Sequence, residues 1–385
     1  MSYSDRRFHG GRSWCPKAVG RGLAVLMFGA AACPGCIQWL GTSLIGDGPP
    51  IVFNDSTLEP VLPVSGGQPV FNRRPVVHAA PEHAGVHAAT ITVFPDGELL
   101  AAWYAYSGPH ELDGSAIYMS RRSPGQEDWQ TPWLHIDRPV GDGNPVLYSE
   151  GERVLLFQAV VPGLWSTAHI AMQDSADRGK SWSEPVALPG PVGANVRFPP
   201  VRTATGDLLL PAYDDLLQRS LMYASADGRQ WTLLGAIATT PPAIQPSVAV
   251  LPEGRFVAVM RNTEKGWLWV MGSSDGGRTW SEPQDSGFPN PASPAAIVQL
   301  AGGNLLLVYN DSPTERVRLT AALSADGGAT WPCRRLLVDG TENCSYPSVI
   351  QTSDGLVHIL FSVGRKRIDH IACNEAWIIQ GSPGD

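Results

Sequence analysis

An apolar stretch, a short polar turn and a second apolar stretch follow one another six times along this chain. The copies read HAATITVFPDGELLAAWY from His87, NPVLYSEGERVLLFQAV from Asn144, RFPPVRTATGDLLLPAY from Arg197, QPSVAVLPEGRFVAVM from Gln245, SPAAIVQLAGGNLLLVY from Ser293 and YPSVIQTSDGLVHILFS from Tyr346. Apolar residues that run on without alternation mark strands buried on both faces, as the two inner strands of a propeller blade must be. Six such phrases predict six blades. No complete fourth strand follows the stretch from Asp369 to Ile379, so the segment near Val70 to Val77 is expected to supply it and close the ring. Closure removes exposed sheet edges.

A second repeat lies between these phrases. Ser175 to Trp182, Ser273 to Trp280 and Ser324 to Trp331 share the pattern S-x-D-x-G-x-[ST]-W, a shortened copy runs from Ser225 to Trp231, and a decayed one ends at Trp129. The tryptophans recur about every fifty residues, the length of one four-stranded blade. The chemistry of this box is structural. Asp and Ser side chains bond nearby backbone amides, Gly takes a conformation that other residues resist, and Trp packs between strands. The Asp is therefore expected to be neither a catalytic carboxylate nor a calcium ligand. The fold class is all-β: a six-bladed β-propeller over residues 70–380.

Composition agrees with many short strands and tight turns, since 41 Gly and 34 Pro would be poorly tolerated by a helical bundle. The formal net charge of −8, with no long basic stripe, excludes nucleic acid as an expected partner. The histidines are scattered without ligand spacing, so no metal and no cofactor is expected. Residues 1–47 differ from the rest. Arg6, Arg7, Arg12, Lys17 and Arg21 precede an uncharged run from Gly22 to Gly46, most apolar at Leu23 to Phe28. This order reads as an export signal or single membrane anchor, followed by a linker over 48–69. The protein is expected to be exported, whether periplasmic, membrane-anchored or secreted, and to meet a membrane only through this segment. Ala30 to Ala32 offer small residues for cleavage before Cys33, which could carry lipid. Cys333 and Cys344 are close enough in sequence to pair in an oxidising compartment, or to stand as two buried thiols.

Propeller connectivity also selects a functional face. Residues at the start of each first strand and after each second strand converge on one end of the central funnel, while the boxes lie at the other. First-strand starts contribute His87, Asn144, Arg197, Gln245, Asn290, Glu342 and Tyr346. Second-strand ends and their loops contribute Tyr106, Glu111, Asp113, Asp214, Asp215, Arg261, Glu264, Asn310, Arg316, Arg365 and Arg367. Arginines and carboxylates concentrated in a chain otherwise poor in charge suit an anionic or sugar-like ligand.

Over residues 80 to 375 the chain resembles the bacterial sialidases, in particular the predicted-neuraminidase branch with BNR or Asp-box repeats. The phrase VAVMRNTEKGWLWVMGSSDGGRTWSEP places Arg261 where that family has one arginine of its carboxylate-binding triad, and NDSPTERVRLTAALSADGGATW places Arg316 at another. CSYPSVIQTSDG puts Tyr346 at the nucleophilic tyrosine, and HELDGSAIYMSRR offers Asp113 or Glu111 as the acid that protonates the leaving group. Two positions depart from the family. His87 stands at the register of the first triad arginine, and Gln245 where a glutamate activates the tyrosine. A neutral amide can orient a phenol by hydrogen bonding but cannot take its proton, which turns attention to Glu342 as another base. The resemblance implies an exo-acting glycoside hydrolase acting on sialic acid or a related acidic sugar in glycans, with a specificity set by His87 and Gln245. Two other readings remain open: a polysaccharide lyase in which His87 or Tyr346 takes a proton next to a uronate carboxylate, and a non-catalytic propeller that binds carbohydrate or scaffolds an assembly.

Overall fold

The computed structural model describes residues 42–46, 48–51, 53, 67–264 and 266–381. Six antiparallel sheets form the ring. Blade 1 begins with Gly85–Val93 and Leu99–Tyr106, blade 2 with Gly141–Glu150 and Arg153–Val161, and blade 4 with Ala243–Val250 and Phe256–Asn262. Blade 5 begins with Ala296–Gln299 and Leu305–Asn310, and blade 6 with Cys344–Gln351 and Val357–Val363. In blade 3 the first strand is split into Ala194–Val196 and Val201–Arg202, both paired with Leu208–Asp214. The second strands of blades 1, 3 and 6 are buried along their whole length, the packing that continuous apolar runs require.

The ring closes as the sequence predicts. Phe71–His78 pairs antiparallel with Arg367–Cys373 and becomes the outer strand of blade 6. The residues that would otherwise continue that blade turn into the short helix Glu375–Ile379, capped by Asn374, whose side chain accepts from Trp377 N–H at 3.0 Å. The same side chain accepts from Val70 N–H at 3.1 Å and donates to the Gln68 carbonyl at 2.8 Å, tying both ends of the propeller together.

Each box sits at the end of a third strand and spends its polar atoms locally. In blade 4, Asp275 Oδ1 accepts from Thr279 N–H at 2.9 Å and Arg278 N–H at 3.0 Å, while Ser273 Oγ accepts from Gly277 N–H at 3.0 Å. Gly277 has φ of +82°, which admits this close approach, and Trp280 Nε1 donates back to its carbonyl at 3.1 Å. Trp280 and Trp331 are buried.

Residues 1–41 and 54–66 of the expected leader and linker lie outside the described residues. What is described of the stretch between them packs on the propeller. Leu44 donates to Ala236 of blade 3 at 2.9 Å and accepts from Trp280 N–H of blade 4 at 2.8 Å, and Phe53 packs edge-on against Trp331 of blade 5 at 5.1 Å. No helix among the described residues is long and apolar enough to cross a membrane. Cys333, Cys344 and Cys373 are free thiols, and burial pushes those of Cys344 and Cys373 up to about 12.

Candidate active site

The funnel is built from bulges. Ladder register skips between His87 and Thr90, Gly143 and Val146, Ile244 and Ser247, and Ser345 and Ser348. At each skip one residue adopts positive φ: Ala88 at 52°, Asn144 at 45°, Gln245 at 55° and Tyr346 at 62°. A bulge breaks the in-out alternation and re-aims a side chain, and a large residue held at positive φ costs on the order of 1–3 kcal/mol. Asn144, Gln245 and Tyr346 thus occupy equivalent positions in blades 2, 4 and 6. A proline follows each of them. Lacking an N–H, it leaves no donor stranded where the ladder is interrupted.

Tyr346 is the meeting point. Arg261, at the end of the second strand of blade 4, donates through Nη1 to the Tyr346 hydroxyl at 3.4 Å and to Gln245 Oε1 at 3.0 Å. Arg316, on the loop after the second strand of blade 5, places its guanidinium carbon 6.0 Å from the Tyr346 ring centroid and donates to the Ala292 carbonyl. Burial pushes the Tyr346 phenol up, but Arg261, Arg316 and the Gln245 hydrogen bond outweigh it and hold the phenol below its ordinary value.

Beneath this ring lie two groups of different character. Arg197 is buried, with its guanidinium carbon 5.2 Å from the Tyr346 ring centroid. It donates to the carbonyls of Tyr346 at 2.7 Å and Ala89 at 3.1 Å, clamping the first strands of blades 6 and 1. Its role is that of a strut, in place of the substrate contact expected from sequence. Burial brings its guanidinium down to about 10, so it stays charged at neutral pH. His87 stacks obliquely on Tyr346 with centroids 4.3 Å apart, and its Nδ1 pairs with Ser362 Oγ at 2.8 Å. Burial first, and then the positive charges of Arg365, Arg197, Arg316 and Arg261, keep His87 neutral. It therefore packs against the site and supplies no cation in place of the family's arginine.

The two acid candidates of blade 1 separate clearly. Glu111 faces the funnel: it accepts from Tyr104 Oη at 3.1 Å and Trp165 Nε1 at 3.1 Å, and pairs with Arg365 Nη1 at 2.9 Å. Asp113 accepts from His110 N–H at 3.0 Å and braces its own loop. Asn144 joins the site indirectly, donating to Asn195 Oδ1 and to Tyr213 Oη, each at 3.1 Å, while Gln245 Nε2 donates to the same Tyr213 oxygen at 3.4 Å. Asp215 stands near Arg261 with its carboxyl raised by burial and lowered in part by that arginine.

Other expected contributors serve the scaffold. Asn290 closes its own loop with Ser293, and Asn310 donates to the Arg318 and Cys344 carbonyls at 3.0 and 2.7 Å. Asp214 pairs with Arg219 at 3.1 Å, and Asn262 Oδ1 accepts from the Glu264 N–H at 2.9 Å within the hairpin turn. Arg367 pairs with Asp369, and Glu342, with its side chain 61% exposed, lies 3.7 Å from Arg367. Among the described residues the Tyr346 hydroxyl accepts from Arg261, and Glu342 is not one of its hydrogen-bond partners. Tyr106 packs in the wall beside Tyr104, with ring centroids 6.2 Å apart. Tyr104, Trp165 and Tyr213 escaped the sequence reading. Strand alternation carried the signal for Tyr213, which adjoins Asp214 but faces the opposite side of the sheet. No three His, Cys, Asp or Glu side chains among the described residues converge as a metal site.

The profile of the BNR repeat-like domain family matches residues 97–359. The chain belongs to this family. Among its relatives this BNR-repeat protein is similar to a sialidase of Bacteroides fragilis (strain YCH46), 27% identical over 296 residues that span 64% of this chain and 53% of that one. It is also similar to a sialidase of Micromonospora viridifaciens, 25% identical over 81% of this chain and 55% of the relative. The chain thus spans about half the length of the curated relatives it matches. Among solved structures, the Hadza microbial sialidase Hz136 superposes with a TM-score of 0.70 at 20% identity, covering 80% of this chain and 69% of that one. The intramolecular trans-sialidase of Ruminococcus gnavus gives 0.69 at 14% identity, over 80% and 98% of the two chains. A Dyadobacter fermentans protein of unknown function gives 0.67 at 20% identity, over 78% and 99%. At these identities the structural likenesses establish the fold: a sialidase-like six-bladed propeller.

Proposed function

We propose that this propeller is an exo-acting glycoside hydrolase of sialidase type, cleaving sialic acid or a related acidic sugar from glycans. The observation that carries this reading is the Tyr346 hydroxyl bonded by Arg261, with Arg316 beside the same ring and the Arg365–Glu111 pair at the neighbouring blade junction. Arg261, Arg316 and Arg365 hold the sugar carboxylate by charge-assisted hydrogen bonds. Tyr346 attacks the anomeric carbon, and Glu111 protonates the departing glycosidic oxygen. In the second half of the cycle Glu111 takes a proton from water, which releases the sugar from Tyr346. Asp215 and Tyr213, on blade 3, line the side from which the rest of the ring is read.

Export is part of the proposal, supported by the basic and then apolar order of residues 1–47. Fractionation of cells expressing the full chain tests it, and activity confined to the cytosol would count against it.

The activity is tested by incubating the protein and its Tyr346→Phe variant with a panel of acidic glycosides carrying a chromogenic leaving group. Wild type is expected to release the chromophore and the variant to lose this on the order of a thousandfold or more. Equal release by both would refute the nucleophile. Gln245 in place of a carboxylate favours a second reading, a propeller that binds acidic glycans without turnover. Binding to the same panel with no release by wild type would select it.

A further inference from the structure

The chain places a neutral amide, Gln245, beside the tyrosine that the glycosidase reading makes the nucleophile, and the hydrogen-bond geometry states what that amide does. Arg261 Nη1 lies 3.0 Å from Gln245 Oε1. A guanidinium only donates, so the amide oxygen must be the atom that faces it. The orientation of Gln245 follows: its NH2 points the other way, toward Tyr213 Oη at 3.4 Å. The far side of the network agrees. Val196 N–H donates to Asn195 Oδ1 at 2.8 Å, which makes that oxygen an acceptor and obliges Asn144 Nδ2, 3.1 Å away, to donate. Asn144 Nδ2 also reaches Tyr213 Oη at 3.1 Å, so the Tyr213 oxygen accepts from two amides.

We propose that Arg261, held in place by the Gln245 amide oxygen, activates Tyr346 as a cationic donor, stabilising a phenolate in place of the carboxylate that would otherwise remove the proton. The cationic Nη1–H of Arg261 reaches the phenolic oxygen at 3.4 Å, and the same nitrogen is anchored on Gln245 Oε1 at 3.0 Å. Hydrogen bonds donated to a charged form favour that form. The wider field has the same sign. Arg261, Arg316, Arg197 and Arg365 surround Tyr346, against the carboxyl groups of Glu111 and, near Arg261, of Asp215. The remaining titratable neighbours are neutral: burial lowers His87 and raises Tyr104 and Tyr213. Despite its own burial, the Tyr346 phenol lies below its ordinary value.

The chemistry balances without a base at position 245. The phenolic proton passes to solvent before the sugar binds. A phenolate lone pair then forms the bond to the anomeric carbon as the glycosidic C–O bond breaks, and its electron pair goes to the leaving oxygen, which takes the proton of Glu111. Water then replaces the phenolate at the anomeric carbon and gives its proton to Glu111, and Tyr346 departs still ionised.

The test is an ultraviolet titration of phenolate absorbance, taken as the difference between each protein and the same protein carrying Tyr346→Phe. It needs no turnover, so it stands or falls apart from the glycosidase reading. Gln245→Met keeps the size and removes the acceptor that anchors Arg261, and the Tyr346 midpoint is expected to rise by about one pH unit or more. Gln245→Glu adds an anion beside the oxygen and is expected to raise it further, while its ion pair with Arg261 preserves the fold. A midpoint unchanged in both folded variants would overturn the proposal.

Discussion

Arg365 of blade 6 and Glu111 of blade 1 form an ion pair of 2.9 Å across the junction where the propeller ring closes. The two residues are distant in sequence and belong to loops that follow equivalent second strands. Tyr104 and Trp165 hold the same carboxylate from the blade 1 and blade 2 sides. Under the proposed glycosidase reading, a sugar carboxylate arriving at the arginines would compete with Glu111 for Arg365. With Arg365 drawn to that carboxylate, Glu111 would be left with neutral donors and an incoming glycosidic oxygen, the setting in which a carboxyl group delivers a proton.

Arg365→Met should therefore weaken the handling of acidic substrates. Loss of one charge-assisted contact corresponds to about 10- to 100-fold in kcat/KM, most of it in KM. Steady-state kinetics on an acidic glycoside and its methyl ester provide the check, since the ester should lose much less.

Glu111→Gln and Asp113→Asn should diverge. The first is expected to reduce kcat by about a hundredfold or more with a poor leaving group, and much less with an activated aryl group that needs no proton. The second should leave kcat nearly intact and lower the melting temperature, because Asp113 braces backbone within its loop. Equal loss of kcat from both would contradict the geometry.

Blade 6 carries an acid-sensitive pair. His358 Nδ1 and His370 Nε2 are 2.9 Å apart, both residues buried, with Arg122 and Asp354 close by. Burial first, and then neighbouring positive charge, lowers His358 to about 4 and places His370 well below its ordinary value. The unfolded chain, with histidines near 6.5, binds protons that the folded chain refuses. The stability held by the neutral pair is complete above about pH 6.5 and lost progressively as the pH falls toward 4, by on the order of a few kcal/mol. Denaturant melts between these limits should show a shallower pH slope for His358→Gln than for wild type.

Trp280 tests the separation of fold from chemistry. It is fully buried, bonds the Gly277 carbonyl at 3.1 Å and receives the Leu44 strap through its own N–H. Trp280→Ala should cost about 3–5 kcal/mol of stability. Activity per folded molecule should be unchanged, because the box lies at the end of the ring opposite Tyr346. A loss of kcat without loss of stability would show the two ends to be coupled.

The blade count, the closing strand and the boxes were legible in the sequence because each rests on short-range physics. Apolar runs report strands buried on two faces, and S-x-D-x-G-x-[ST]-W encodes hydrogen bonds among residues at most a few positions apart. Phe71–His78 was identifiable as the closing strand by the same logic, since blade 6 would otherwise keep an open edge. The meeting of Tyr346, Arg261, Arg316, Arg365 and Glu111 at one end of the ring was legible too, because connectivity alone sends them there. What each side chain does there was decided by tertiary structure. Arg197 reads like a ligand arginine, yet it lies under Tyr346 and bonds the carbonyls of two other blades. Glu342 and Arg367 fall at the right positions in sequence but pair with one another at the rim. Glu111 and Asp113 are two residues apart and face different partners. These outcomes depend on bulges that re-aim single side chains and on contacts between blades brought together by ring closure. Neither leaves a period in the sequence, because the residues that meet come from different repeats.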